Sequence, residues 1–190
     1  MTEADIINSL LSTLTLIGDI TIGLIILLGI LKAATRSKTI DALWDFVRKH
    51  ALMLAFIVAI TATAGSLSYS EILGYAPCEL CWFQRIFMYP LVLVLGAGLL
   101  RRDPGVRSYA IPMAFIGALF AGYQYIIQHI TYAATCSADG TSCTVKYVFH
   151  YGYITISMMA LSAFVLIMLL TAIRQGKKAP SPQKQLKEFS

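Results

Sequence analysis

Residues 152–173 read GYITISMMALSAFVLIMLLTAI, a run of 22 residues without one charged side chain. Its apolar positions follow neither the 3.6-residue stripe of a surface helix nor the alternation of a half-buried strand, so no face is reserved for water. As an α-helix it would be about 33 Å long, enough to cross a hydrocarbon core of about 30 Å. Four blocks of the same kind precede it: Leu10 to Leu31, Ala51 to Tyr69, Phe83 to Leu100 and Tyr109 to Tyr132. An open sheet would leave backbone groups unpaired in lipid, so the expected fold is all-α, a polytopic membrane helix bundle with five crossings. The composition agrees: of 190 residues 57% are hydrophobic and 13% charged, well below the charge a soluble domain of this size carries. The third block is the weakest, holding Arg85 near its start and Pro90 inside, where a kink is expected. Pro112 is placed in the first turn of the fourth, where proline is tolerated.

The net charge of +5 does not indicate nucleic acid, because the basic residues sit in short segments between apolar blocks rather than interleaved with aromatics. Lys32, Arg36, Lys38, Arg48 and Lys49 lie between the first two blocks; Arg101, Arg102 and Arg107 follow the third; Arg174, Lys177, Lys178, Lys184 and Lys187 follow the fifth. The N-terminus carries Glu3 and Asp5, and the loop from Ala133 to Tyr151 carries Lys146 as its one basic residue among lysine and arginine. The positive-inside rule then places the N-terminus outside and the C-terminus in the cytoplasm, which five crossings satisfy. A cleaved signal peptide is disfavoured for the first block by its acidic start, its length and the basic residues after it. Ile40, Leu43, Trp44 and Val47 fall on one helical face, which reads as a short amphipathic interfacial helix, with a plain connector as the alternative. Residues 176–190 are polar and lysine-rich with two prolines, and are expected to form a disordered basic cytoplasmic tail.

All four cysteines fall in the two loops assigned to the outer side: Cys78 and Cys81 as a C-x-x-C directly before the third helix, Cys136 and Cys143 before the fifth. In an oxidising compartment an even set of exposed cysteines reads first as disulfides. A four-cysteine zinc site is disfavoured by the wide second spacing, so no metal is expected. A C-x-x-C bridge closes so small a loop that it contributes little as a staple, whereas it is well placed as a redox centre. The free N–H groups at a helix start stabilise a thiolate. Arg85 follows Cys81 by four residues, one turn along the same face, where it serves the Cys81 thiolate or polarises an electron acceptor; the alternative is an arginine reaching the outer headgroups. His150 is read as a solvated loop histidine, Met158 and Met159 as packing, and Gly117, Ala118, Ala121 and Gly122 as sites of close helix approach.

The segment Pro77-Cys78-Glu79-Leu80-Cys81-Trp82-Phe83-Gln84-Arg85, continued by Ile86-Phe87-Met88-Tyr89-Pro90, resembles the redox motif of the disulfide bond formation protein B (DsbB) family, in its short-loop, BdbC-like branch. Gly122-Tyr123-Gln124 with His129, Cys143 to Tyr147, and Gly152 to Ile156 are similar to further family segments, so the likeness runs from about Ala51 to Ile173. It implies a four-helix redox core over residues 51–175, preceded by an additional transmembrane helix and connector over residues 1–50 that it does not explain. It implies a quinone-dependent thiol:disulfide oxidoreductase of the bacterial plasma membrane. Such an enzyme reoxidises an extracytoplasmic thioredoxin-like C-x-x-C oxidant of the DsbA or BdbD type and passes electrons to ubiquinone or menaquinone. By the same resemblance Cys136 and Cys143 form the shuttle pair, Cys78 and Cys81 reoxidise it, and Arg85, His129 and, more weakly, Gln124 flank the quinone. Ser157 stands where this branch is expected to carry proline. A vitamin K epoxide reductase-like bundle is the alternative of similar chemistry, and a disulfide-stapled membrane scaffold the alternative without catalysis.

Overall fold

The computed structural model describes residues 3–35, 37–103, 105–130, 143 and 147–173. Five α-helices carry it: α1 (Glu3–Ala34), α2 (Lys38–Leu67), α3 (Glu79–Leu100), α4 (Val106–Ile130) and α5 (Ile156–Ile173). Each is long and apolar enough to cross a membrane, and the chain is a multi-pass membrane protein with an all-helical bundle fold. Consecutive helices run antiparallel. One end therefore collects the start of α1, the end of α2, the start of α3, the end of α4 and the start of α5, and this end carries the cysteines. Arg101, Arg102 and Arg107 are gathered at the opposite end, at the α3–α4 turn.

Small side chains bring α2, α4 and α5 close together. Ala51, Ala55 and Ala59 of α2 and Ala110, Ala114 and Ala121 of α4 are fully buried, as are Leu91 and Leu95 of α3 and Phe164 and Ile167 of α5. Without an aqueous driving force between helices in lipid, such close van der Waals packing is the main source of cohesion. Gly117 is the tightest point: a Cβ there would collide with the Phe164 ring.

The helices are longer than the apolar blocks. The amphipathic segment and the second block are one continuous helix, so Lys38 to His50 is the first part of α2 and not a separate element. Its Trp44 packs on Gly29 of α1 and lies under the Lys32 ammonium, 5.3 Å from the ring centroid. Helix α4 starts at Val106, so Pro112 lies inside it and not in its first turn. The start moves because Val106, Arg107 and Ser108 continue the helix past the edge of the apolar run, with Val106 itself buried in the core. Helix α3 continues through Pro90. Beyond Leu67 the second helix widens into a π-helical turn, Ser68–Ile72. The tail assigned to residues 176–190 lies outside the described residues.

Helix α1 sits on the edge of the bundle against α5 and α2, with Ser12 and Ile25 as its buried residues. Near the cysteine end Leu11 meets Gly65, Thr13 Oγ1 lies 3.5 Å from Tyr151 Oη, and Tyr153 Oη donates to Asp19 Oδ2 at 3.0 Å. Tyr153 belongs to a tight turn in which His150 and Ile154 exchange backbone hydrogen bonds of 3.0 and 2.9 Å. Tyr151 and Gly152 supply its two positive φ angles, 53° and 80°, as a primed turn requires. Thr155 then caps α5, its Oγ1 accepting the Met158 N–H at 3.3 Å.

Candidate redox site

Cys78 is the N-cap of α3, with extended backbone angles of −73° and 168°, and its carbonyl accepts the first helical bond from Trp82 N–H at 3.1 Å. Cys81 is one turn further on. The helix thus brings the two sulfurs to 2.7 Å from each other, with Cys78 buried and Cys81 half-buried. A C-x-x-C at a helix start has this geometry because the cap residue and the third helical residue lie over the same turn.

The Gln124 amide of α4 reaches across to both sulfurs, its Nε2 donating to Cys78 Sγ at 3.2 Å and to Cys81 Sγ at 3.4 Å. Its orientation is set by Gln84, whose Nε2 donates to Gln124 Oε1 at 2.5 Å. With the oxygen engaged, the Gln124 N–H groups face the sulfurs. Both glutamines are buried. Two amides that satisfy each other and the thiol pair are a stable way to keep polar groups in an apolar bundle. The hydrogen bond with Cys81 and burial push the Cys78 thiol above the usual cysteine range, and the nearby Cys143 adds to the shift. Cys78 therefore holds its proton, and of the two Cys81 is the sulfur suited to carry negative charge.

Arg85 is half-buried one turn below Cys81. Its Nε donates to Ser66 Oγ at 3.0 Å, its terminal nitrogen to the Ser66 carbonyl at 3.1 Å, and its guanidinium stacks on Trp82, 5.3 Å from the ring centroid. Ser66 precedes the π-helical turn, and Tyr89 Oη also donates to its hydroxyl at 3.4 Å. These neutral partners fix the arginine without cancelling its charge. Cys81, Gln84 and Arg85 all border a cleft of about 460 Å³, within the range of small-molecule sites.

The second cysteine loop meets the first. Tyr147 stacks on Tyr75 with centroids 4.6 Å apart, and Tyr75 stacks on Tyr69 at 6.0 Å, so an aromatic ladder joins the end of α2, the segment before α3 and the loop before α5. Cys143 is buried and close enough to Cys78 to act on its ionisation. Cys136 lies outside the described residues. His129 is exposed, its Nδ1 2.9 Å from the Tyr125 carbonyl one turn back in α4, and it does not border the cleft. Five residues after Gln124, it is rotated about 140° around the helix from the amide that faces the sulfurs.

Ser66 and Gln84 are functional candidates that motif reading did not single out. For Gln84 a signal existed, its spacing of three residues from Cys81 on one helical face. For Ser66, in another helix, there was none. Ser157, at the position expected to hold proline, is buried and donates to Gln128 Oε1 of α4 at 2.6 Å, joining α5 to α4 by a polar contact that proline could not make.

The family model described as disulfide bond formation protein DsbB matches residues 48–173. "Disulfide bond formation protein C" of Bacillus subtilis is 41% identical over 130 residues, covering 67% of this chain and 94% of that protein. "Probable disulfide formation protein" of Oceanobacillus iheyensis is 42% identical over 141 residues, covering 69% and 94%. "Probable disulfide formation protein C 2" of Bacillus cereus is 40% identical over 136 residues, covering 70% and 97%. No solved structure gives a significant match.

Proposed function

The chain belongs to the disulfide bond formation protein DsbB family, and from that premise we propose that it oxidises an extracytoplasmic thioredoxin-like dithiol protein and delivers the electrons to a membrane quinone. The observation that carries this reading is the Cys78–Cys81 pair opening, through Cys81, on a cleft that also holds a fixed, uncancelled arginine. The cysteine end faces outward and the arginine-rich end faces the cytoplasm.

The exchange begins when a thiolate of the partner attacks Cys136 of the Cys136–Cys143 disulfide, releasing Cys143 as thiolate. The partner's second thiol resolves the mixed disulfide, leaving the partner oxidised and the shuttle pair reduced. Cys143 then attacks Cys78 of the Cys78–Cys81 disulfide and expels Cys81 as thiolate. Cys136 closes the shuttle disulfide again and leaves Cys78 and Cys81 reduced. Cys143 shares the cysteine end of the bundle with Cys78 and is near enough to act on its ionisation, which supports this order, in which the sulfur attacked and the sulfur expelled are distinct. Gln124 N–H groups stabilise charge on the expelled sulfur, and Arg85 holds positive charge in the cleft onto which it opens.

Arg85 and Gln84 suit a quinone ring, since a guanidinium and an amide are the donors a carbonyl pair requires. When bound there, the quinone supplies a sink for two electrons and two protons. Per turnover one partner dithiol becomes a disulfide and one quinone becomes a quinol. His129, exposed near the same end, is a candidate for proton delivery from solvent rather than for contact with the ring. Purified protein given the reduced partner and a soluble quinone should reduce quinone and oxidise thiol pairs in equal amounts. Thiol oxidation without quinol would refute the quinone assignment, and neither reaction would favour a stapled scaffold.

A further inference from the structure

We infer that α1, which precedes the family-matched region, forms one wall of a channel for the prenyl tail of the quinone. This rests on the quinone reading above and extends it to residues 11–25, outside the match that begins at residue 48.

The cleft at Cys81 and Arg85 does not end beneath the ring site. It continues between α1, α2 and α5 toward the opposite end of the bundle. Leu11, Leu14, Gly18, Thr21 and Ile25 line it from α1 at a spacing of three or four residues, one face of a single helix. Ile57 and Val58 of α2 and Leu166 of α5 line the other side. From Leu11 to Ile25 this wall is about 21 Å long at 1.5 Å per residue. Two close approaches bracket it: Leu11 packs on Gly65 near the cysteine end, and Gly29 on Trp44 near the other. Between them Ile25 reaches the core, while at Gly18 there is room beside the cleft: among the described residues an added Cβ would come no nearer than 4.0 Å to another side chain, Leu166 Cδ2.

The polarity of the cleft matches one class of molecule. At one end are a thiol, an amide and a guanidinium; the remainder is almost wholly apolar and runs lengthwise along the helices. A prenylated quinone has the same division, a polar ring and a long hydrocarbon tail. A phospholipid acyl chain would fill the apolar part but would place no electron acceptor at Cys81.

The test uses full-length protein in lipid nanodiscs with the reduced partner, comparing duroquinone, which has no tail, with ubiquinone-4, which carries four isoprene units. Gly18→Leu and Thr21→Leu narrow the channel. Each should raise KM for ubiquinone-4 on the order of tenfold, the effect of displacing about two buried methylenes, and leave KM for duroquinone within about twofold. Duroquinone turnover also shows that the variants are folded. A benzoquinone with a diazirine in its tail should label peptides covering residues 11–25, and ubiquinone-4 should compete. Equal KM changes for both quinones, or no change for either, would overturn the channel while leaving the proposed function standing. Labelling of α1 by a diazirine phospholipid that ubiquinone-4 does not displace would assign the groove to lipid and overturn it as well. Wild-type protein that reduces neither quinone would overturn the proposed function and the channel together.

Discussion

Gln84 and Gln124 together determine where one pair of amide protons points. The Gln84 donor engages Gln124 Oε1, so Gln124 must present its N–H groups to the two sulfurs. Gln84→Leu would leave a buried amide oxygen without its partner, at a cost of about 1–3 kcal/mol. The variant should slow quinone reduction about tenfold while Gln84→Glu, which cannot donate when ionised, does the same; stopped-flow turnover with reduced partner checks both. Cys78 offers a test by pH. Its hydrogen bond to Cys81 and its burial raise its pKa, so its thiolate is scarce through neutral pH and forms only above the usual cysteine range. In the reduced protein, alkylation should reach Cys81 first. Cys78 should react appreciably only in alkaline buffer, as peptide mass mapping across a pH series would show; equal labelling at neutral pH would contradict the assigned roles. The cysteine motif was legible because its residues are consecutive in the chain. The glutamine pair and the Arg85–Ser66 contact were not, because they depend on how two helices are rotated against each other, and evenly apolar helices leave no stripe from which to read that rotation.

Helix α5 shows how an element is tied in at the cysteine end. Thr155 caps it, and Ser157 joins it to Gln128 of α4. Ser157→Ala would strand the Gln128 oxygen in a buried position and should lower stability by about 1–3 kcal/mol, read as earlier unfolding in a detergent titration. Ser157→Pro removes the same hydroxyl and should be no milder. On α1, Tyr153→Phe removes the donor to Asp19, a carboxylate in a membrane-spanning helix, where such groups are costly without a partner. It should loosen α1 and increase protease cleavage there, with little effect on the core helices. The apolar blocks located the helices, because lipid demands uninterrupted apolar surface. They did not bound them: Glu3, Lys38 and Val106 begin helices whose first turns are polar or basic and reach beyond the apolar runs. The same effect misplaced Pro112, which the helix start at Val106 puts in the interior.

Across the whole molecule the alternation of five antiparallel helices gathers two cysteine-bearing segments at one end and the arginines of the α3–α4 turn at the other. Five helices long and apolar enough to cross a membrane were readable from hydropathy alone. The cleft beside α1 was not, since it depends on which faces of α1, α2 and α5 turn toward one another, and evenly apolar helices carry no stripe that shows it. In the proposed exchange, disulfides pass between the two loops through Cys143 and Cys78. The most direct measurement is non-reducing peptide mapping of the Cys81→Ser, Cys136→Ser double variant in membranes under mild oxidation. A Cys78–Cys143 bridge in most of the protein is expected. Two unlinked thiols, with a bridge forming instead in the Cys78→Ser, Cys136→Ser variant between Cys81 and Cys143, would contradict it.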